Sequence, residues 1–208
     1  MHPDIRIILV EPSHPGNVGA AARACKVMGI RNLHLVNPAE ALDHPDARAR
    51  AANAEDVLLA ATIHTSLNAA IADCVFVAGS SARVRQVRPQ HYNPRTGAQV
   101  MLDKAQYGPV ALLFGRERTG LTNEELDLCQ AQIEIPSNPE YPSLNVASAV
   151  QVLAYELRMT WLQDNPHPSE PYPFPPATSA QMAQFYTHMQ RVLTHNTGFI
   201  HPEQTEII

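Results

Sequence analysis

Short apolar runs alternate along the chain with segments that have helical periodicity. We predict strands at residues 5–10, 33–36, 74–78, 110–114 and 132–135. Most positions in these runs are apolar, on both faces of the expected strands, which is typical of parallel strands buried on both faces of a sheet. Strands that alternate with helices predict an α/β fold with a mostly parallel sheet flanked by helices.

Alanine-rich or periodic segments predict the helices, which we expect at residues 17–28, 45–60, 67–72, 98–105, 122–129 and 179–195. At the start of the fifth of these, Thr122 is the expected N-cap and Glu125 completes a capping box. A longer helix begins near Ser143, and its apolar residues have the 4, 3, 4, 4 spacing of one helical face. Those residues are Val146, Val150, Leu153, Leu157 and Trp161.

The segment 165–176 contains six prolines in twelve residues, so we expect a stiff, extended linker there. The chain is therefore divided into a main domain of residues 1–164, a proline-rich linker of residues 165–177 and a C-terminal helical segment of residues 178–208. One amphipathic helix cannot bury its own apolar face. The last segment must therefore pack on the main domain, on a second copy or on a further part.

The chain has 208 residues, a net charge of -5 and a pI of about 6.0, which gives no general support for a nucleic-acid partner. Residues 83–95 differ from the rest, because they contain four arginines and no acidic residue. These arginines are candidates for phosphate contacts, although a solvated surface loop can have the same composition. They are Arg83, Arg85, Arg88 and Arg95.

No run of 18 apolar residues is present, and the chain opens with an acid followed by a strand-like run. We therefore expect neither a transmembrane helix nor a signal peptide. Cys25, Cys74 and Cys129 are far apart, which favours reduced thiols in a cytoplasmic protein. The ten histidines have no partners at metal-ligand spacing, so we expect no metal site.

The stretch H-P-G-N-V-G-A-A-A-R-A, residues 14–24, follows the first strand as a nucleotide-binding loop does. Its glycines are not spaced as G-x-G-x-x-G, no G-K-[ST] follows, and Val36 ends the second strand where a dinucleotide fold has an acid. A dinucleotide-dependent oxidoreductase is therefore disfavoured, and a tight strand-to-helix turn explains Gly16 and Gly19.

Arg23, in the same stretch, is either a solvated helix residue or a functional one. Its neighbours are small, so another chain could approach closely. A cation also gains nothing from the dipole near a helix N-terminus, which favours anions. These two details make Arg23 a candidate functional residue.

Three successive strands each end in an unusual loop. The loops read G-S-S-A-R from position 79, F-G-R-E-R-T-G-L from position 114 and I-P-S-N-P-E-Y-P-S-L-N from position 135. Ligands bind beyond the carboxyl ends of parallel strands, and glycine permits a close approach of the backbone. The three loops together predict a ligand site, although Ser143 by itself could be a simple N-cap.

The motifs F-G-R-E-R-T-G-L-T-N-E-E-L and N-P-E-Y-P-S-L-N-V-A-S-A-V-Q-V-L-A-Y-E-L-R, preceded by P-G-N-V-G-A-A-A-R-A, resemble those of the SPOUT family of RNA methyltransferases. The resemblance covers residues 5 to about 163. It is strongest to members that methylate the ribose 2′-hydroxyl of cytidine or uridine at position 32 of the tRNA anticodon loop. It implies a deep C-terminal trefoil knot, a tRNA partner, and a homodimer whose active sites are shared between subunits.

The resemblance also implies S-adenosylmethionine as the cofactor, bound by the three loops of the knot. By position, the cofactor-binding residues are Ser80, Ser81, Ala82, Gly115, Glu117, Ile135, Pro142, Ser143, Leu144 and Asn145. The substrate RNA is expected to contact Arg23, Arg83, Arg85 and Arg88.

Arg23 and Ser143 match the catalytic positions of the family, with Arg23 reaching toward the cofactor of the partner subunit. We expect Arg23 to clamp a phosphate and stabilise developing negative charge rather than to act as a literal base, because a guanidinium stays protonated in proteins. Ser143 is expected to orient the hydroxyl or the arginine. Glu117 is either a second candidate for proton acceptor or a solvated partner of Arg116 or Arg118.

Two features depart from the family pattern. Pro142 stands where we expect a small polar residue, and it stiffens the loop and removes a backbone donor. We also expect a longer helical extension after residue 200, so the C-terminal segment is interpreted as shortened. These departures leave open a methyltransferase for another tRNA position or for rRNA, and a non-catalytic RNA-binding protein.

Overall fold

The computed structural model describes residues 3–81, 90–165 and 177–196. The chain forms two compact units, residues 1–166 and residues 167–208. The strands of the first unit are β1 (Ile5–Val10), β2 (Asn32–Val36), β3 (Thr62–His64), β4 (Phe76–Ser80), β5 (Gln90–Tyr92), β6 (Val110–Phe114) and β7 (Ala131–Ile133). Its helices are α1 (Pro15–Met28), α2 (Pro45–Ala51), α3 (Glu55–Leu59), α4 (Leu67–Ile71), α5 (Pro94–Lys104), α6 (Asn123–Asp127) and α7 (Val146–Asp164). In the second unit the described residues form α8 (Ser179–Asn196).

The strands form one parallel sheet in the order β3-β2-β1-β6-β4-β7-β5. This confirms the predicted α/β class and the parallel sheet. All five predicted strands are present; β1 and β6 have the predicted ends, and the ends of the other three are shifted by at most two residues. The edge strands β3 and β5 were not predicted, since each has three residues and neither contains an apolar run.

Alternating strand residues enter two separate cores, one on each face of the sheet. In β1, Ile7 and Leu9 pack with α1, α2, α3, α5 and α7, whereas Ile8 and Val10 pack with α4 and α6. These four β1 side chains are at most 1% exposed. Burial on both faces explains why the central strands β1 and β6 are apolar at nearly every position, as parallel strands covered by helices are.

The two glycines of the N-terminal stretch lie inside α1 and not in a turn before it, which corrects the sequence interpretation. The turn after β1 is at Glu11, which has a positive φ of 47°. His14 then caps the helix, with its Nδ1 atom accepting a hydrogen bond from the backbone amide of Gly16 at 3.0 Å. A side chain at Gly19 would overlap the carbonyl of Ala47 in α2. Gly19 therefore permits close packing of two helices within one chain.

The long helix α7 begins at Val146, three residues later than the sequence predicted. Its N-cap is Asn145, whose Oδ1 atom accepts hydrogen bonds from the amides of Ala147 at 2.9 Å and Ser148 at 3.4 Å. Ser143 is therefore not the cap. At α6, in contrast, Thr122 and Glu125 form the predicted capping box.

A candidate cofactor and catalytic site

The loops that follow β4, β6 and β7 meet at the carboxyl edge of the sheet, as predicted from their sequences. They surround an open cavity of about 390 Å³. That volume lies within the roughly 300–1,000 Å³ typical of small-molecule sites. The cavity is lined by Ser80, Ser81, Phe114, Gly115, Arg116, Glu117, Arg118, Thr119, Gly120, Leu121, Ile135, Pro142, Ser143, Leu144, Val146 and Ala149.

The loop after β6 is fixed by its own backbone and by one arginine. Arg116 and Gly120 exchange two backbone hydrogen bonds of 2.9 and 3.2 Å. A side chain at Gly115 would overlap the backbone of Gly120, so this loop closes tightly only with glycine there. The Arg116 guanidinium donates to Glu11 at 2.9 Å and to both carboxylate oxygens of Glu125 at 3.1 Å. The loop therefore forms a fixed wall of the cavity.

The Glu117 side chain lies against the N-terminus of α1. Neither of the two sequence hypotheses for Glu117 predicted this contact. Its carboxylate accepts hydrogen bonds from the Ser13 amide at 3.2 Å, the Ser13 hydroxyl at 2.9 Å, the His14 amide at 3.2 Å and Asn17 Nδ2 at 3.1 Å. Burial by itself would raise the pKa of this carboxyl, but the hydrogen bonds from Asn17, from its own backbone and from Ser13 outweigh burial and lower the pKa to about 2. Such a weak base is a poor proton acceptor at neutral pH. Arg116 pairs with Glu11 and Glu125 instead, so the predicted ion pair between Glu117 and Arg116 is wrong.

This arrangement answers the question that the N-terminal stretch raised about a phosphate site. Backbone amides at the N-terminus of a helix favour an anion. Here the chain supplies that anion itself, because the Glu117 carboxylate lies on the amides of Ser13 and His14. The position that a cofactor phosphate would take at this helix terminus is therefore already occupied. This agrees with the absence of nucleotide-loop motifs from the stretch.

The loop after β7 forms the opposite wall and is bonded mainly to itself. Ser137 Oγ donates to the Pro142 carbonyl at 3.0 Å, and the Tyr141 amide donates to the Asn138 carbonyl at 2.9 Å. Ser143 and Leu144 line the cavity from this loop. The next residue, Asn145, does not line it, because its side chain caps α7 and also donates to Asn17 Oδ1 at 3.0 Å.

Arg23 lies on the exposed side of α1, away from the cavity lining of its own chain. Within the described residues it forms no hydrogen bond or ion pair. One chain therefore does not bring Arg23 and Ser143, the two predicted catalytic residues, to the same cavity.

Several predicted contact residues lie outside the described ranges, namely Ala82, Arg83, Arg85 and Arg88. Arg95 is described, and its Nε atom lies 3.5 Å from Glu156 Oε2 while its side chain remains 75% exposed.

The three thiols are free, as predicted, and burial raises the pKa of both Cys25 and Cys129 to about 12. In the part of the chain that the structure describes, no three His, Cys, Asp or Glu side chains are grouped to hold a metal ion. No helix among those residues is long and apolar enough to cross a bilayer.

The parallel α/β sheet with a cavity at its carboxyl edge is typical of a small-molecule-binding enzyme domain, and comparisons with known proteins identify its family. Residues 4–155 match the model of the SpoU rRNA Methylase family, and the chain belongs to this family. The predicted class, an RNA methyltransferase of the SPOUT type, is thereby confirmed.

Among the relatives, the chain is similar to the tRNA (cytidine/uridine-2′-O-)-methyltransferase TrmJ of Yersinia pestis (strain Pestoides F). The two are 47% identical over 209 residues, covering 97% of this chain and 80% of the relative. Among solved structures it is similar to a probable methylase family protein from Haemophilus influenzae Rd KW20, with a TM-score of 0.74, 42% identity and coverage of 99% of this chain and 84% of that one. It is also similar to TrmJ from Z. mobilis ZM4, with a TM-score of 0.71, 34% identity and coverage of 95% and 82%.

Proposed function

We propose that this protein transfers a methyl group from S-adenosylmethionine to the ribose 2′-hydroxyl of cytidine or uridine at position 32 of the tRNA anticodon loop. The observation that carries the proposal is the cavity at the carboxyl edge of the sheet, formed by the loops after β4, β6 and β7, the last two of which contain family motifs. The TrmJ relatives support tRNA as the substrate, and a tRNA substrate implies a cytoplasmic protein. The deep trefoil knot stays a prediction.

The cavity suits an adenosyl cofactor. An adenine ring needs an apolar slot with a few polar groups beside it, and Ile135, Leu144 and Val146 provide apolar side chains. Ser80 and Ser81 add hydroxyl groups, and the glycines of the β6 loop leave backbone accessible. We therefore propose these residues, with Ser143, as the cofactor site. When bound, S-adenosylmethionine supplies a methyl group already activated on a sulfonium.

The residues of this chain then have to bring a ribose hydroxyl into line and stabilise the negative charge that develops on its oxygen as the proton passes to solvent water. Ser143, on the cavity wall, is proposed to orient the hydroxyl. Arg23 is proposed to clamp the adjacent phosphate and stabilise the alkoxide with its permanent positive charge. The depressed pKa of Glu117 supports assigning no proton transfer to that residue.

Arg23 can act only if the site is completed by a second subunit, because it does not line the cavity of its own chain. Exposed apolar side chains on the two helices that pack together support a homodimer. Val27, one turn after Arg23 on α1, is 64% exposed, and Tyr155 on α7 is 47% exposed. We propose that these helices form the dimer interface and that Arg23 reaches the cavity of the partner.

The test is ribose-methylation mapping of total RNA incubated with the protein and S-adenosylmethionine. We expect a new signal at position 32 of tRNA anticodon loops. A signal only in ribosomal RNA, or no signal with a protein that binds the cofactor in calorimetry, would refute the proposal.

Arg23→Ala is expected to lower the rate of methyl transfer by about 10²–10³-fold, as loss of a charge-stabilising donor does. Arg31→Ala, a change of another exposed arginine just after α1, is the matched control and is expected to have little effect.

The arginine-rich residues 83–95 are proposed to contact tRNA phosphates. Replacing Arg83, Arg85 and Arg88 by alanine is expected to weaken tRNA binding and reduce its dependence on salt concentration, since each phosphate contact contributes to the slope. An unchanged salt dependence would remove this stretch from the interface.

A further inference from the structure

One hydrogen-bonded chain of side chains connects both walls of the cavity to the first turn of α1. Glu117, in the fixed loop after β6, binds Ser13, His14 and Asn17. Asn17 in turn accepts a hydrogen bond from Asn145, the residue that caps α7 at the end of the other loop. These contacts join positions 100 or more residues apart in the sequence.

In this hydrogen-bonded network, the nitrogen and the oxygen of each asparagine amide have different partners. Asn17 donates through Nδ2 to Glu117 and accepts through Oδ1 from Asn145, so its amide is used in both directions. Asn145 uses its Oδ1 atom for the α7 cap and its Nδ2 atom for Asn17. The Glu117 carboxylate has only acceptors, and four donors from the start of α1 converge on it. Exchanging the nitrogen and oxygen positions of either asparagine amide would break this network of hydrogen bonds.

We propose that Glu117 is a positioning residue for methyl transfer, which holds the first turn of α1, and with it Arg23, in register with the cavity through Asn17 and Asn145. This inference rests on the proposed function. Arg23 lies six residues after Asn17 on the same rigid helix, which is roughly 9 Å along the axis. A shift of the first turn therefore moves the arginine with it. In the proposed dimer, the network joins the cavity of one subunit to the arginine that serves its partner.

Two substitutions separate positioning from proton transfer. Glu117→Asp keeps a carboxylate but is one methylene too short to reach α1. Glu117→Gln keeps the reach and one acceptor oxygen but cannot take a proton. For a positioning residue, we expect Glu117→Asp to lower kcat by about 100-fold, as small misplacements of catalytic groups do. Glu117→Gln should remain within about tenfold of wild type, because one oxygen still accepts from α1 while the charge assistance and the second acceptor are lost. The opposite order, with Gln inactive and Asp active, would identify Glu117 as the base and overturn the proposal.

Asn17→Ala tests the network from its other end. If Asn17 and Glu117 act as one unit, the loss in the double variant Asn17→Ala/Glu117→Asp is smaller than the product of the two single losses. Independent, multiplying losses would contradict the proposal. Asp127→Asn is the matched control, because it removes an exposed carboxylate from the same β6–β7 segment at the end of α6, and it should leave kcat unchanged.

Hydrogen exchange tests the network without any use of methyl transfer, so a failure of the proposed function is distinguishable from a failure of this inference. In Glu117→Asp, the amides of Ser13 and His14 should exchange faster, and so should the capped amides of Ala147 and Ser148 at the start of α7. Faster exchange at α1 alone, with α7 unchanged, would show that the two walls are not joined. Thermal unfolding and cofactor calorimetry on the same variants check that the protein is folded and that kcat, rather than cofactor binding, carries the effect.

Discussion

The two walls of the cavity are built in different ways. The loop after β6 is held from outside itself, by the ion pairs of Arg116 with Glu11 and Glu125 and by the contacts of Glu117 with α1. The loop after β7 is exposed from position 138 to 145, and Ser137 and Tyr141 bond within the loop itself. The first loop is over-determined by distant contacts, whereas the second is fixed mainly at its ends.

This difference indicates that the two loops have different tasks at the cavity. The β6 loop carries Glu117, the proposed positioning residue, and such a residue must be held within fractions of an ångström, which distant contacts and a closed backbone provide. A wall that must admit a cofactor and then an RNA ribose can be less constrained, because loops with few external contacts open at low free-energy cost. Substitutions should therefore affect stability strongly in the β6 loop and weakly in the β7 loop.

The largest effect is expected for Gly115→Ala. The added methyl group would overlap the backbone of Gly120 and Leu121, which cannot move without opening the loop. We expect a loss of about 3 kcal/mol or more of unfolding free energy, at the upper end of overpacking effects, measured by denaturant unfolding. Gly120→Ala is the matched control, since its methyl group meets open space and only the positive φ of 70° is strained. It should cost about 1 kcal/mol. Equal losses would show that the loop is not closed as described.

Arg116→Ala is expected to have the second largest effect. It leaves the Glu125 carboxylate, whose side chain is 14% exposed, without its guanidinium partner. We expect a loss of about 2–3 kcal/mol, somewhat less than for a fully buried pair. Arg118→Ala in the same loop removes an exposed arginine and should change stability by less than about 0.5 kcal/mol. A small effect of Arg116→Ala would mean that the β6 loop does not depend on its distant contacts.

The pH dependence of stability tests the contact of the same wall with α1. The pKa of Glu117 in the folded protein is about 2, below its ordinary value of 4.5. Its stabilising effect is therefore complete above pH 4.5 and is lost as the pH falls toward 2. The difference in unfolding free energy between wild type and Glu117→Gln should shrink over this range. A difference that is constant with pH would show that the carboxylate is not bound to α1.

The fold and much of the cavity could be predicted from the sequence because their signals are local. Apolar runs mark β1 and β6 at their observed bounds, and loops at the carboxyl ends of parallel strands must lie together. The contacts that fix the site are not local. Arg116 and Glu11 are 105 positions apart, and nothing in the sequence around Asn17 indicates its partners Glu117 and Asn145. Sequence spacing predicted instead that Glu117 pairs with Arg116 or Arg118, because spacing indicates only contacts between residues that are close in the sequence.

The smallest expected effects are in the β7 loop, where the functions of Ser143 and Asn145 can be separated. Asn145 caps α7 and binds Asn17, so Asn145→Ala should cost about 1 kcal/mol of unfolding free energy, as loss of an N-cap does. Ser143 is exposed and caps nothing, so Ser143→Ala should change stability by less than about 0.5 kcal/mol while it lowers methyl transfer. Thermal unfolding and a methyl-transfer assay on the same two proteins decide the matter. If Ser143→Ala destabilised the protein as much as Asn145→Ala, Ser143 would be a structural residue, and its proposed role at the reacting hydroxyl would be lost.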